Sequence, residues 1–316
     1  MEAFKKEKGI GRKKDIVFYC LILIWPVLQF CIFYIYVNFN SFLLAFKDIK
    51  MDLNADSISK YTYTLSGKAF ADLWELLKTK TIREAGLISL LTYGLSLFIT
   101  MPLGLLFSFY ISKKHFGAGF FRVMLFLPSI LSSVVMVTVY TYFINQALPQ
   151  MLEDVFRLKE VMPFMSRTPA WQFVMVFLYN LLVGFGVSVL MYANAMSGID
   201  PEINEAAMLD GATGIKEFIY VALPMVFPTI SVFIVTGIAG IFTNQFNLFS
   251  FYGNKADVPF QTFGYYLYKE TQKYQAKNDM SHYPLLSALG IAMTLVAVPL
   301  TFLVRWLLEK YGPSED

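Results

Sequence analysis

IDPEINEAAMLDGATGIKEFIYVALPMVFP (residues 199–228) stands between two long apolar runs and resembles neither of them. Its opening residues read as a helix start. Asp200 offers a side-chain acceptor at the N-cap and Pro201 fixes φ at the first helical position. Glu202 lies in the first turn, where the helix dipole favours an anion. Residues 201–209 then make a helix about 13 Å long. Gly211 supplies a left-handed position after it, and Gly214 allows a second reversal. Another helical stretch begins near Ile215 and enters the next apolar run, where Leu223-Pro224 and Pro228 kink it. On its residues alone the loop fits two readings. One is an interfacial helix between spans. The other is a helix presented to a groove on another protein, with Ala206 and Ala207 allowing close approach beside Glu205.

The flanking runs set the solvent. Of 316 residues, 56% are hydrophobic and only 16% charged, where soluble domains carry roughly 25% charged residues. The charges are also segregated. Segments 16–46, 85–112, 123–152, 168–199, 218–254 and 283–304 contain no Asp, Glu, Lys, Arg or His. Each exceeds the roughly 20 apolar residues that cross a bilayer core. The expected fold is therefore an all-α polytopic membrane protein. Its six transmembrane helices fall at about 16–37, 86–111, 123–145, 171–195, 222–248 and 284–306. Runs that are continuously apolar, rather than alternating, disfavour a β-barrel. The expected organisation is a basic N-terminus (1–15), a transmembrane domain (16–309) containing the loop 200–214, and a short tail (310–316).

Lys5, Lys6, Lys8, Arg12, Lys13 and Lys14 resemble a signal-peptide n-region, but the run behind them is too long and lacks a small-residue cleavage site. A retained first helix is expected, with the cluster as an orientation signal placing both termini in the cytoplasm. The Lys and Arg count over all loops does not decide orientation. Cys20 and Cys31 sit about 16 Å apart in one helix and cannot bridge. His115 and His282 fall in loops on opposite sides, so they make no metal site.

Several chemistries are missing. GATGIKE lacks the GxxxxGK[ST] spacing of a P-loop, and there is no GxSxG, HExxH or CxxC. No ionisable residue interrupts a span, which argues against a proton relay or a charged selectivity ring. No catalytic constellation or bound cofactor is expected, and nothing points to nucleic acid. If the chain moves a solute, the energy must come from elsewhere.

EAAMLDGATGIKEFIYVALP resembles the EAA motif of ABC importer permeases, EAA-x3-G-x9-I-x-LP. The matching positions are Glu205, Ala206, Ala207, Gly211, Val221 (where the family has Ile), Leu223 and Pro224. Asp210-Gly211-Ala212, the IDPEIN lead-in and the trailing LPxxxP are similar to the carbohydrate branch, which includes maltose- and glycerol-phosphate-type permeases. FFRVMLFLPSILSSVV (120–135) and WPVLQFCIFYIYVNFNSFLLAF (25–46) resemble its third- and first-span regions. The chain departs at 249–283, where the family's T-x-GGP segment is not apparent. The resemblance implies a type I importer permease in a bacterial plasma membrane. Its loop would couple to a separate ATPase dimer that holds ATP and Mg, with Glu205 as docking contact and Gly211 setting the helix angle. It also implies a second permease, expected to be a paralogue, and an extracellular or periplasmic solute-binding protein.

For the solute, Asn180, Gly184, Ser188 and Tyr192 share one face of the fourth span. In the fifth, Thr236, Gly240, Thr243, Asn244 and Asn247 make a second stripe. Neutral donors and acceptors beside aromatic rings suit an oligosaccharide or sugar. For Gly184, Gly240 and Ser188, tight helix packing is an equal reading. A charged solute, or a sensor or scaffold docked to an ABC ATPase, are the alternatives.

Overall fold

A computed structural model of the protein describes residues 18–53, 59–157, 161–255 and 258–313. The basic segment 1–15 lies outside them, as do residues 314–316 of the tail. The helices are α1 (Phe18–Leu44), α2 (Lys68–Lys78), α3 (Lys80–Ser112), α4 (Ala118–Ile130), α5 (Ser133–Phe156) and α6 (Pro169–Ser197). They continue as α7 (Pro201–Leu209), α8 (Ile215–Met225), α9 (Phe227–Gly240), α10 (Leu248–Tyr252), α11 (Phe263–Ala276) and α12 (Tyr283–Tyr311). Between α1 and α2 lie two strands, β1 (Lys47–Leu53) and β2 (Ser59–Leu65). Four helices, α1, α3, α6 and α12, are long and apolar enough to cross a membrane by themselves. The bent pairs α4–α5 and α8–α9 raise the number to six if each pair is one span.

The chain forms two compact units. The first comprises residues 1–75 and 278–291. Its α1 is apolar on every face, from Phe18 to Leu43, as suits a helix solvated by lipid. The antiparallel pair β1–β2 adds a hairpin to an otherwise helical molecule. Ile49 faces Tyr63, while Asp48 and Lys50 face Thr64 and Thr62, so apolar and polar pairs alternate as the pleat requires. Phe46 at its root packs on Phe70 of α2, ring centroids 5.1 Å apart. Near the start of α12, Asp279 accepts from the Ser281 hydroxyl (2.6 Å) and backbone N–H (2.9 Å). These bonds hold its carboxyl below the usual carboxylate range.

The second unit, 76–277 and 292–316, is organised around α6. Thr168 and Pro169 start this helix and Gly198 ends its 29 residues. It contributes to four separate apolar clusters. Tyr192 and Met196 pack with Leu105, Phe218 and Val226, and Phe185 and Val189 with Ile111. Val176 joins Phe246, Leu248 and Tyr265, and Met175 joins Ile144 and Phe164. The Ser108 hydroxyl, 2.9 Å from the Val189 carbonyl, ties α3 to α6.

Two expected spans are not continuous. The third was expected as one span at about 123–145; the chain instead bends by 107° between α4 and α5. Pro128 withdraws a donor just upstream, and Leu131 and Ser132 are extended. The fifth was expected to reach residue 248, but α9 ends at Gly240 and irregular backbone follows to Asn247. The kink expected from Leu223-Pro224 and Pro228 is a 67° bend at Val226.

Close packing here rests on one glycine of α6. A Cβ on Gly186 would lie 1.9 Å from the Leu125 carbonyl oxygen of α4, whereas one on Gly184 would meet nothing within 4 Å. Gly186→Ala should therefore destabilise by about 1–3 kcal/mol, read as a lower melting temperature of the detergent-solubilised protein. Gly184→Ala, measured alongside, should leave it unchanged.

Candidate functional site

The three helices α3, α6 and α9, together with the irregular segment after α9, enclose a cavity of about 510 Å³. Ser89, Thr92, Tyr93, Ser96 and Thr100 line it from α3. Phe177, Asn180, Gly184, Ser188 and Tyr192 line it from α6. Phe233, Thr236, Gly240, Thr243, Asn244 and Phe246 complete the wall. Hydroxyls, amides and aromatic rings are all present; no wall residue carries a charge.

The segment 241–247 explains how such a site persists in an apolar layer. Its backbone leaves the helix at Ile241, and both Phe246 and Asn247 take left-handed φ values of 54° and 56°. Non-helical backbone at membrane depth is tolerated only where other groups satisfy it. Asn180 does so from α6. Its amide donates to the Phe246 carbonyl (3.0 Å) and to the Val176 carbonyl (2.8 Å). Its side-chain oxygen accepts from Asn247 Nδ2 at 2.8 Å. Asn244 Oδ1 in turn accepts from the Phe246 N–H at 2.8 Å, and the Thr262 hydroxyl donates to the Asn244 carbonyl at 2.9 Å. Thr262 also accepts from the Tyr265 N–H and so caps α11. The Phe263 N–H donates to Ser89 of α3 at 2.8 Å. Gly264 is needed where α11 meets the break, because a Cβ there would lie 2.4 Å from the Thr243 carbonyl oxygen.

The expected solute-facing residues therefore divide. Asn180, Gly184, Ser188, Tyr192, Gly240, Thr243 and Asn244 all reach the cavity wall, whereas Asn247 does not and is spent on Asn180. Asn180 has its amide committed within the protein. Tyr192 is 1% exposed, its ring packed on Phe233 at 4.8 Å. Gly184 and Gly240 face open space, so neither serves close packing, whereas Gly186, Gly237 and Gly264 each stand at a tight approach. The α3 stripe is the part not read from sequence, although Ser89, Thr92, Ser96 and Thr100 recur at helical spacing within a charge-free run.

The loop after α6 has the conformation its residues dictate. Asp200 Oδ1 accepts from the Glu202 N–H at 3.0 Å and starts α7. At the other end, Ala212 N–H donates to the Ala207 carbonyl (2.8 Å) and Gly211 N–H to the Met208 carbonyl (3.1 Å). With Gly211 at φ 75°, this is a Schellman motif. Glu205, Ala206, Met208, Leu209, Asp210 and Gly211 are exposed, Leu209 at 89%. Leu223 and Pro224 are half-buried, with Leu223 packed on the cluster around Tyr192 and Val226. Among the described residues, no group of three or more His, Cys, Asp or Glu is placed to hold a metal ion.

Residues 161–314, which include α6 and this loop, match the family described as "Binding-protein-dependent transport system inner membrane component". Over that segment, just under half of its length, the chain is similar to this permease family. The family's members are non-catalytic transport subunits of multi-pass inner-membrane type. Relatives include the galactooligosaccharide transport permease GanP of Bacillus subtilis, 25% identical over 202 residues. That match takes in 63% of this chain and 48% of GanP. The arabinooligosaccharide permease AraP of the same organism is 22% identical over 66% of this chain and 64% of its own length. The matched part thus spans about half to under two thirds of these relatives. A chain in the structure of a bacterial ABC transporter involved in the import of the acidic polysaccharide alginate superposes with TM-score 0.71 at 19% identity, covering 95% of this chain and 97% of that one. In complex with its pentasaccharide-bound periplasmic protein, the alginate transporter gives TM-score 0.74. The permease thus has the type I ABC importer fold.

Asn180→Leu should strand the Phe246 carbonyl and the Asn247 amide inside the permease. At about 1–3 kcal/mol for each buried unsatisfied group, it should lower the melting temperature well below that of Ser188→Ala, whose hydroxyl reaches only the Gly184 carbonyl of its own helix.

Proposed function

We propose that the permease is one half of the transmembrane pathway of an ATP-driven importer for a neutral sugar or oligosaccharide. One observation carries the reading: a capped, solvent-exposed helix, α7, is joined without slack to α6 and α8–α9, and α6 and α9 wall an uncharged cavity of hydroxyls, amides and aromatic rings. A helix so exposed, with Leu209 projecting from its end, suits docking in a groove of a second protein. That protein is an ATPase dimer, which holds the ATP and Mg. Glu205, Ala206, Ala207, Asp210 and Gly211 form the docking element. Leu223 and Pro224 anchor it to the membrane-embedded helices.

Closure of the ATPase dimer pulls on α7, and the bent pair α8–α9 and α6 pass the movement to the cavity, which alternates between its two openings. This orientation puts the loop and both termini in the cytoplasm. A paralogous permease supplies the other half of the pathway, and an external solute-binding protein delivers the solute. The names of GanP and AraP, both oligosaccharide permeases, support a carbohydrate. The absence of any charged side chain from the wall supports a neutral one over an acidic or phosphorylated one. Sugars present both apolar ring faces and dense hydroxyls, and the aromatic rings of Tyr93, Phe177 and Phe233 lie among the matching polar groups.

Gly211→Val places a β-branched residue at φ 75°, where only glycine is unstrained. In proteoliposomes containing the assembled complex and its binding protein, this variant should lose solute-stimulated ATP hydrolysis while binding of solute to the external protein persists. Normal stimulated hydrolysis in Gly211→Val would sink the assignment of α7. Screening neutral sugars against uronic acids in the same assay should find stimulation with the neutral set.

A further inference from the structure

One charged contact in the second unit is absorbed neither by the cavity nor by the docking helix. Lys113 follows the last residue of α3, and its ammonium donates to Glu217 of α8, forming an ion pair. Glu217 is 4% exposed, among the few buried charged or polar residues of the described chain. The same ammonium lies 3.5 Å from Asn204 Oδ1 of α7 and 5.5 Å from the Phe109 ring centroid. One turn further into α3, Phe109 packs on Phe218, the residue after Glu217, with centroids 5.2 Å apart. Two layers, one ionic and one aromatic, thus join the end of α3 to the start of α8, and the ionic layer also touches α7.

The position of α3 gives this contact its meaning. Helices α6 and α8 are continuous in sequence with the loop that carries α7, so any movement of the loop reaches them through the chain. No such continuity exists for α3, yet α3 supplies Ser89, Thr92, Tyr93, Ser96 and Thr100 to the cavity wall. Packing along α6, through Ser108 and Leu105, offers α3 one route to the loop, and the contact at Lys113 is the direct one to α7 and α8. Between the two, α3 widens into a π-helical turn at Ser96–Thr100, followed by Pro102, which has no N–H to donate. The helix therefore has a fixed end at Lys113 and a weakened turn at the cavity. A buried ion pair is a poor source of stability compared with apolar packing, and its best-attested use is to fix one arrangement among several. Geometry that is directional and costly to misalign suits a strut that must move as one piece with its neighbour.

We propose that Lys113 and Glu217 are positioning residues that lock α3 to the α7–α8 loop, so that movement of the loop is delivered to the third wall of the cavity. The proposal rests on the importer reading above. Neither residue touches solute or nucleotide; they act through α3.

The test uses the assembled complex in proteoliposomes, with ATP hydrolysis and solute uptake measured on the same preparation. The wild-type complex must first show solute-stimulated hydrolysis; if it does not, the importer reading fails and the strut is not what failed. The informative variant is the double replacement Lys113→Met with Glu217→Met, which removes both charges together and leaves no buried orphan. It should assemble and melt near the wild type and hydrolyse ATP at a comparable basal rate. Its uptake per ATP hydrolysed should fall about tenfold or more. Lys113→Arg, which keeps the cation, should stay within about threefold of the wild-type ratio. A wild-type ratio in the double variant overturns the proposal. So does a lowered melting temperature or assembly yield with an unchanged ratio in the complex that forms, because that is the mark of a merely structural pair.

Discussion

A helix that stops inside a hydrocarbon layer exposes carbonyl and amide groups that have no water to bind, and the permease resolves this with the side chain of Asn180. Its amide takes the Phe246 carbonyl and its oxygen takes the Asn247 amide, so one residue of α6 satisfies the far side of the gap after α9. The consequences spread from there. Because the gap is held, Asn244 and Thr243 can face the cavity as backbone turns rather than as helix. Because it is held from α6, the cavity wall and the four apolar clusters along α6 share one reference frame. The start of α11 then docks on the gap through Thr262 and Gly264 and reaches α3 through Ser89. Much of what surrounds the cavity is thereby positioned by polar contacts, while apolar packing fixes the helices behind it.

How much of this was legible in the sequence depends on the solvent that shaped each part. Lipid excludes charge over whole spans, so the charge-free runs marked the membrane-embedded segments. The loop at 199–228 was legible for another reason. Its caps are local: Asp200, Pro201 and Gly211 each act within a few residues, and the N-cap bond and the Schellman bonds form where those residue types predict. The breaks at 131–132 and 241–247 were not legible, because a continuous apolar run looks the same whether its backbone is straight or interrupted. The hairpin was missed because KDIKMDL, with charges at alternate positions, carries too little apolar character to stand out from a loop. Among the candidate site residues, the polar and small stripes read from sequence line the cavity except for Asn247, but the pattern could not show that Asn180, besides lining it, and Asn247 hold the irregular backbone. The pairing of Lys113 with Glu217 lay beyond sequence reasoning because it joins residues 104 apart.

The two glycine classes show the same division between local and distant causes. Gly211 is required by its own backbone angle, which could be inferred from its neighbours. Gly186 and Gly264 are required by atoms of other elements, the Leu125 and Thr243 carbonyls. Only the fold reveals such approaches, and substitution there is felt first by the partner element.

The uncharged wall of the cavity has an electrical consequence. Moving one elementary charge across 100 mV exchanges about 2.3 kcal/mol with the membrane potential. A neutral solute passing Ser89, Asn244 and their neighbours carries no such charge, and no wall side chain changes its position in the field as an ion. Under the proposed import of a neutral solute, the potential would neither assist nor oppose passage, and accumulation would follow the ATP supply and not the polarisation of the membrane.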